Sequence, residues 1–161
     1  MSKRNLMATA QADELRRVTQ RFFRRFGVLA NDQTPCGQAL PLAHAHALMV
    51  LLARGELTQQ ALGTELCIDK SNVARLCTKM AEAAHVQRRP NAADGRSRIV
   101  SLTPRGKSLA RKVEAASRQR FSALLGNLPA GRRRDVIAAL QQLLEALETS
   151  PAGPRDARTV R

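Results

Sequence analysis

Apolar residues recur every three or four positions along most of the chain, and this spacing predicts a mainly α-helical protein. Outside the centre of the chain, four segments carry such a stripe: residues 10–29, 42–53, 104–126 and 130–147. The two ends carry none, so we expect a flexible N-terminus over residues 1–9 and a disordered tail over residues 149–161. One domain is expected between them, over residues 10–148.

The central stretch, residues 57–107, has a different organisation. Thr58 and Asp69 are suitable N-caps, and each precedes a short segment with helical periodicity, so we predict two short helices joined by a tight turn. The second helix has an apolar back and a polar front that carries Ser71, Asn72, Arg75 and Lys79. An apolar back with hydrogen-bond donors in front suits a helix that lies in the major groove of DNA.

A β-hairpin is predicted after these two helices. Two short runs, Arg88–Pro90 and Arg98–Leu102, are separated by residues rich in Asn, Asp and Gly, which is typical of a hairpin. We expect Asp94 to pair with Arg96 and stiffen the tip, and Arg96 to reach a DNA minor groove, whose negative potential attracts guanidinium groups. Thr103 with the proline that follows it predicts the start of the next helix.

These motifs together resemble the MarR (multiple antibiotic resistance regulator) family of winged helix-turn-helix regulators. The most specific of them are the D-x-R of the hairpin, at Asp94 to Arg96, and the L-T-x-x-G that follows, at Leu102 to Gly106. The other matching segments are Leu57-Thr58-Gln59 with Leu62, Ile68 to Val73 with Arg75, and Arg88-Arg89-Pro90. The resemblance implies a mainly α fold with a small β-hairpin wing, a winged helix-turn-helix over residues 57–107, and dimerisation helices over residues 10–30 and 108–148.

The composition agrees with a polyanionic partner. The chain has 161 residues, of which 27 are Lys or Arg and 13 are Asp or Glu, for a formal charge of +14. Nine of the basic residues and only three of the acidic ones fall within residues 69–107, so the excess is concentrated in the predicted DNA-binding region. The chain has no Trp or Tyr, and this disfavours single-strand binding, which uses aromatic stacking platforms.

Other features limit the function classes. We find no phosphate-binding loop, no nucleophile elbow and no partnered catalytic residues, so no enzyme activity and no cofactor are expected. The longest purely apolar run, residues 47–53, is too short to span a membrane. An odd number of cysteines and the lack of a secretion signal argue for a cytoplasmic protein without a disulfide framework.

The predicted function is therefore a homodimeric DNA-binding regulator, most simply a ligand-responsive repressor, whose two recognition helices read a palindromic operator. We expect Ser71, Asn72 and Arg75 to read or orient on bases. Arg96, steadied by Asp94, is expected to enter the minor groove. Phosphate contacts are expected from five basic residues: Lys70, Lys79, Arg88, Arg89 and Arg98.

The family resemblance also implies a small, anionic or aromatic effector. Such molecules bind between the dimer base and the DNA-binding lobe of the family's members. The candidate wall here is formed by Arg17, Arg21, Phe22, Phe26, His44 and Leu48. Ordinary core packing with solvated arginines is the alternative for these residues.

Three alternatives stay open at this stage. A sequence-indifferent architectural DNA protein would share the charge but would not prefer a palindromic site over random DNA. A thiol sensor would use Cys36, since Cys67 and Cys77 are expected to pack as small apolar groups. A metal sensor would use His44 or His46 with Cys36, but two histidines two residues apart on a helix point in different directions, so we expect no metal site.

Overall fold

The computed structural model describes the backbone of residues 3–149 and the side chains of residues 7–149. Over these residues it has six α-helices and three short β-strands, and a single 3-10 turn at Ala130–Arg132 precedes the last helix. In chain order the elements are α1 (Lys3–Phe26), α2 (Leu42–Arg54), β1 (Leu57–Thr58), α3 (Gln59–Glu65), α4 (Lys70–Glu82), β2 (Val86–Pro90), β3 (Arg98–Leu102), α5 (Pro104–Gly126) and α6 (Arg133–Thr149).

The predicted fold class, a mainly helical winged helix-turn-helix, is confirmed, and the three predicted N-caps form. The hydroxyl oxygen of Thr58 accepts the backbone N–H of Ala61 (3.1 Å), and the carboxylate of Asp69 accepts that of Asn72 (2.8 Å). The hydroxyl of Thr103 caps α5 in the same way. Each cap satisfies a backbone donor that has no partner inside its helix, which is why the helices begin at these residues.

Both ends of the first helix differ from the prediction. The first helix begins at Lys3 rather than near residue 10, because no proline or glycine interrupts residues 3–26. It ends at Phe26 rather than at Leu29, because Gly27 adopts a φ of +90°, a left-handed conformation that stops the helix. The predicted disordered tail lies, apart from Thr149, outside the described residues.

The three strands form one antiparallel sheet in the order β1-β3-β2. Strands β2 and β3 are the two arms of the predicted hairpin, with Val86 opposite Leu102 and Pro90 opposite Arg98. The additional strand β1 pairs Leu57 with Val100, and it ties the start of the helix-turn-helix to the wing. A strand of two residues gives no periodicity, so the sequence pattern did not indicate it.

The hydrophobic core lies where α2, α3, α4, the sheet and α5 meet. Its largest fully buried side chains come from all of these elements: Leu48, Leu51, Leu62, Val73, Cys77, Met80, Val100 and Val113. By contrast, α6 has no buried residue, and most of the side chains of α1 are exposed. The core therefore holds the helix-turn-helix and the wing together, while the first and last helices extend from it.

One close contact joins the end of α4, the wing and α5. The backbone N–H of Thr103 donates to the carbonyl oxygen of His85 (3.1 Å), and the hydroxyl of Thr103 donates to the carbonyl of Ala84 (2.7 Å). Gly106, one turn into α5, lies against the same carbonyl, and a Cβ added to it would stand 1.8 Å from the oxygen of His85. The glycine of the L-T-x-x-G motif is therefore required by this backbone crossing.

No helix within residues 3–149 combines the length and the apolar character that a membrane span requires.

Gly106→Ala should destabilise the protein by about 1–3 kcal/mol, because the new methyl group can fit only if α5 moves away from the end of α4. Urea or thermal unfolding measures this change. Gly126→Ala, in the same helix, is the matched control: a Cβ there meets nothing within 4 Å, and its effect should stay within about 1 kcal/mol. Equal stabilities for the two variants would contradict the close contact between Gly106 and the carbonyl of His85.

Candidate nucleic-acid interface and effector cavity

Helix α4 has the two faces that its sequence predicted. Val73, Cys77 and Met80 are buried against the core. The residues Ser71, Asn72, Arg75 and Lys79 are exposed on the opposite side. Ala84 lies beyond the end of the helix, where a φ of +57° turns the chain toward β2. The described part of the chain thus presents a polar helix face that no other element covers.

Two residues at or near the turn between α3 and α4 have unusual surroundings or backbone conformation. Gly63 is buried, and a Cβ there would stand 3.1 Å from Cγ1 of Val73, so the glycine lets the two helices approach closely. Cys67 has a φ of +56°, a left-handed conformation in which glycine is more usual. Its side chain is exposed, so the prediction that it packs as a small apolar group is wrong, whereas the same prediction for the buried Cys77 is confirmed.

The tip of the wing is ordered by Asp94, although not in the predicted way. The carboxylate of Asp94 accepts the backbone N–H of Arg96 (3.0 Å), and its carbonyl accepts the hydroxyl of Ser97 (3.0 Å). The expected ion pair between Asp94 and Arg96 does not form, because Asp94 closes a local turn with backbone donors instead. Within residues 3–149 the guanidinium group of Arg96 has no hydrogen-bond or ion-pair partner.

A cleft of about 590 Å³ separates the helix-turn-helix from the wing. We call it the wing cleft, and it is lined by Gln59, Gln60, Gly63, Thr64, Cys67, Ile68, Lys70, Val73, Asp94, Arg96, Ser97 and Arg98. It brings together four of the predicted DNA-binding residues, one from the start of α4 and three from the wing. The polar side chains of Gln59, Gln60 and Thr64 on α3 were not predicted as site residues, because only the folded chain places α3 opposite the wing.

Two other predicted site residues are engaged with the protein itself. Nη1 of Arg88 donates to the hydroxyl of Thr78 on α4 (2.8 Å). The guanidinium of Arg89 forms an ion pair with Glu56, which precedes β1 (2.7 Å). Both contacts are exposed, and both link β2 to a neighbouring element. Each contact uses one nitrogen of the guanidinium group, so N–H donors of both arginines are left for a phosphate group.

A second cavity, of about 310 Å³, lies among α1, the loop after it, α2 and α5. We call it the aromatic cavity, and it is lined by Phe26, Val28, Thr34, Pro35, Cys36, Leu42, Ala45, His46, Met49, Val113, Ser117, Arg120 and Phe121. The rings of Phe26 and Phe121 approach to 5.5 Å between centroids, and the guanidinium carbon of Arg120 lies 5.8 Å from the centroid of Phe26. An apolar wall with a single cation at its edge suits a small aromatic anion.

Of the six predicted effector-binding residues, only Phe26 lines this cavity. Leu48 is fully buried in the core, and Arg17 and Arg21 lie on the exposed face of α1. Phe22 stacks on Phe26, with centroids 5.3 Å apart, and lines a separate groove between α1 and α5. The predicted residues therefore do not come together around this cavity, and α5, which is distant in sequence, supplies the arginine and the second phenylalanine of its wall.

His44, the remaining predicted wall residue, faces away from the cavity. Its Nε2 lies 3.1 Å from Nδ1 of His85, and both side chains are buried. Burial, followed by the proximity of His85, lowers the pKa of His44 from 6.5 to about 4. Burial, followed by the charge of Arg105, also lowers the pKa of His85. This pair links α2 to the junction of α4 and the wing, across 41 positions of sequence.

The residues of the thiol and metal alternatives do not assemble into a cluster. His46, two residues after His44, lines the aromatic cavity on the other side of α2, as the helical geometry predicted. Cys36 also lines that cavity, and its sulfur lies 3.1 Å from the hydroxyl of Thr34. Among the described residues, no group of three or more His, Cys, Asp or Glu side chains is arranged to hold a metal ion.

The tri-helical lobe, the short sheet and the exposed polar helix define a winged helix-turn-helix, a class of DNA-binding domain. Three comparisons agree with this class. Over 121 residues the chain is 26% identical to an uncharacterised HTH-type transcriptional regulator of Mycobacterium leprae, which covers 75% of this chain and 82% of the relative. A probable transcriptional regulator from Pseudomonas aeruginosa is 25% identical, with a TM-score of 0.65 over 82% of this chain and 95% of that one.

The PcaV transcriptional regulator from Streptomyces coelicolor, solved in complex with its natural ligand, shares the fold at 18% identity. Its TM-score is 0.65, with 88% of this chain and 96% of that chain covered. The sequence model of the MarR family matches residues 40–97, which include α2, the helix-turn-helix and most of the wing. Over these residues the chain is similar to the MarR family, and both its sequence relative and its structural neighbours are transcriptional regulators.

The stability of the fold should fall in mildly acidic solution because of the histidine pair. Both pKa values are lower in the folded chain than in the unfolded chain, so the unfolded state binds more protons. The contribution of the neutral histidine pair to the free energy of unfolding is fully present above pH 6.5 and is lost as the pH falls to about 4. His44 alone accounts for about 3 kcal/mol of free energy of unfolding across this window.

Urea unfolding at several pH values measures this loss. His44→Gln keeps an amide that can donate to His85 but does not titrate, so its free energy of unfolding should depend less on pH between 6.5 and 4. His46→Gln, on the exposed side of the same helix, should keep the wild-type slope. A wild-type slope in His44→Gln would show that the pair does not govern acid stability.

Proposed function

We propose that this protein is a DNA-binding transcriptional regulator of the MarR type, and that it acts as a homodimeric repressor that reads a palindromic operator. In this proposal α4 lies in the major groove, with Ser71, Asn72 and Arg75 on the bases. Arg96 enters the adjacent minor groove. The remaining predicted residues, Lys70, Lys79, Arg88, Arg89 and Arg98, bind phosphates and set the register of the protein on DNA.

The observation that carries this proposal is the wing cleft, which places basic residues of the wing opposite the start of α4, next to the exposed polar face of that helix. Lys70 stands on one side of the cleft, and Arg96 and Arg98 stand on the other. None of these three side chains has a hydrogen-bond or ion-pair partner within residues 3–149. Basic groups without partners, held about a cleft beside a polar helix, are suited to the phosphate backbone of a duplex.

The apolar surfaces of α1 and α6 support a dimer. Helix α6 exposes a stripe made of Val136, Ile137, Leu140, Leu143, Leu144 and Leu147, of which Leu147 is 67% exposed. Helix α1 exposes Leu15, Val18, Phe22 and Phe23. Monomeric proteins rarely leave such long apolar stripes in water, and a second copy of the chain is the simplest cover for them. A twofold axis through these helices presents two copies of α4, as a palindrome requires.

The aromatic cavity supports a small aromatic carboxylate or phenolate as effector. Its volume of about 310 Å³ suits a molecule with a single ring, and Arg120 supplies a positive charge at its edge. Helix α2 contributes to the cavity and, through His44, contacts the base of the wing. A ligand that shifts α2 therefore favours a different arrangement of the two α4 helices, which no longer matches the operator.

Arg96→Ala should weaken operator binding by about 1–3 kcal/mol, because the variant loses the wing's minor-groove contact. The probe is the duplex that the wild-type protein selects from a random-sequence library, and fluorescence anisotropy measures the affinity. Arg24→Ala, which removes the same charge from α1, is the control and should bind as the wild type does. Sedimentation should give a dimer for all three proteins.

Other outcomes would contradict particular parts of the proposal. Unchanged operator affinity in Arg96→Ala would exclude the assigned wing contact. Selection of no preferred sequence, with equal binding to random duplexes, would favour the architectural alternative. A monomer in sedimentation would exclude the twofold arrangement.

The effector assignment predicts that aromatic carboxylates raise the melting temperature of the wild-type protein and release the selected duplex, because they bind the dimer beside Arg120. Thermal shift with benzoate-class acids, compared with their neutral amides, measures the preference for an anion. Arg120→Gln should lose the response, whereas Arg118→Gln should keep it, since Arg118 pairs with Glu114 and does not line the cavity. An equal response to the acids and the amides would exclude a role for Arg120.

A further inference from the structure

Asp69 makes more contacts than a helix cap requires. One carboxylate oxygen accepts the backbone N–H of Asn72 (2.8 Å), which is the capping bond, and also the hydroxyl of Ser71 (2.7 Å). The other oxygen accepts the side-chain amide of Asn72. The carboxylate therefore holds the two exposed side chains that begin the outer face of α4, besides capping its backbone.

The contacts continue from Asn72 to Arg75. The side-chain NH₂ group of Asn72 donates to Asp69, so its amide oxygen faces the other way. That oxygen accepts a hydrogen bond from Nη2 of Arg75 (2.6 Å). An amide without such neighbours could present either its oxygen or its nitrogen to a base edge, and these two groups read different bases. Asp69 thereby selects one orientation of the amide, and through it one direction of the guanidinium group of Arg75.

The charge of Asp69 is unfavourable for DNA binding in general. The carboxylate is exposed at the start of α4, on the side of the helix that faces DNA in the proposed function. The hydroxyl of Ser71, followed by the backbone N–H of Asn72, lowers its pKa, so it stays ionised at neutral pH. A negative charge at this position weakens nonspecific attraction to a polyanion, while its hydrogen bonds order the base-reading side chains.

We propose that Asp69 is a positioning residue that sets the base preference of α4 by fixing the side chains of Ser71, Asn72 and Arg75 before DNA is bound. The inference rests on the proposed function, in which these three residues face the bases. In this role Asp69 increases discrimination between DNA sequences, while its negative charge lowers the overall affinity for DNA.

Asp69→Asn separates the two contributions, because asparagine is an equally good N-cap but lacks the charge and the second acceptor oxygen. The selected duplex and a set of single-base variants of it, measured by competition, give the discrimination ratio. We expect the variant to keep its melting temperature, to bind random duplexes at least as tightly as the wild type, and to lose about tenfold in discrimination at the bases facing α4.

Glu82→Gln is the matched control. It removes a carboxylate from the other end of α4, where the charge has no partner in the described chain, so it should change discrimination at no base. Asp69→Ser, which keeps a capping oxygen and loses the rest, should resemble Asp69→Asn in discrimination.

Two results would overturn the inference. Asp69→Asn with unchanged discrimination would leave Asp69 as a cap and a charge only. Loss of affinity for all duplexes, in proportion to a lower melting temperature, would mean that its role is structural. Asn72→Ala and Arg75→Ala test the underlying function separately: if neither alters discrimination, base reading by α4 fails and this inference fails with it. If they alter discrimination while Asp69→Asn does not, only the role of Asp69 is excluded.

Discussion

The arrangement of the DNA-binding lobe depends on the backbone contact between Gly106 and the carbonyl of His85. At this point α4 has just ended, the wing begins and closes, and α5 starts. The hydrogen bonds from Thr103 to Ala84 and His85 hold the two ends of the wing together, and the absence of a side chain at Gly106 lets α5 cross directly over them. Because the polar face of α4 and the tip of the wing are both anchored here, their relative position is set by rigid backbone packing. A protein that reads two grooves of one duplex needs such a fixed distance.

The charged side chains of the lobe fall into two groups that differ in what holds them. Lys70, Arg96 and Arg98 have no partners within residues 3–149, so binding a phosphate costs them no existing contact. Arg88 and Arg89 already hold β2 against α4 and against Glu56, and Arg75 is held by Asn72. The first group is suited to general attraction to DNA, and the second keeps the wing and the recognition helix in place. A formal charge of +14 therefore overstates the number of groups that are free to meet a polyanion.

Local patterns predicted most of the lobe, because helices and hairpins are specified by neighbours in sequence. The periodicity of α4, the three N-caps and the bounds of α5, Pro104–Gly126, all follow from residues within one or two turns. Most of the details that differ from the predictions involve contacts between residues that are distant in sequence. His44 meets His85 rather than the cavity, and Arg120 and Phe121 of α5 replace Arg17 and Arg21 of α1 in the cavity wall. Asp94 prefers backbone donors to the guanidinium of Arg96, and the choice between these two partners depends on the turn geometry, which composition does not specify.

Helix α2 gives the two proposed sites a physical connection. His46 on one of its faces lines the aromatic cavity, and His44 on another contacts the base of the wing through His85. The helix is thirteen residues long and its core side chains, Leu48 and Leu51, are tightly buried, so it moves as a unit rather than bending between its faces. A ligand that displaces α2 from the cavity side must therefore disturb the histidine pair on the other side. The effector proposal therefore needs no long series of intervening contacts. One helix, α2, lies between the aromatic cavity and the contact with His85 at the base of the wing.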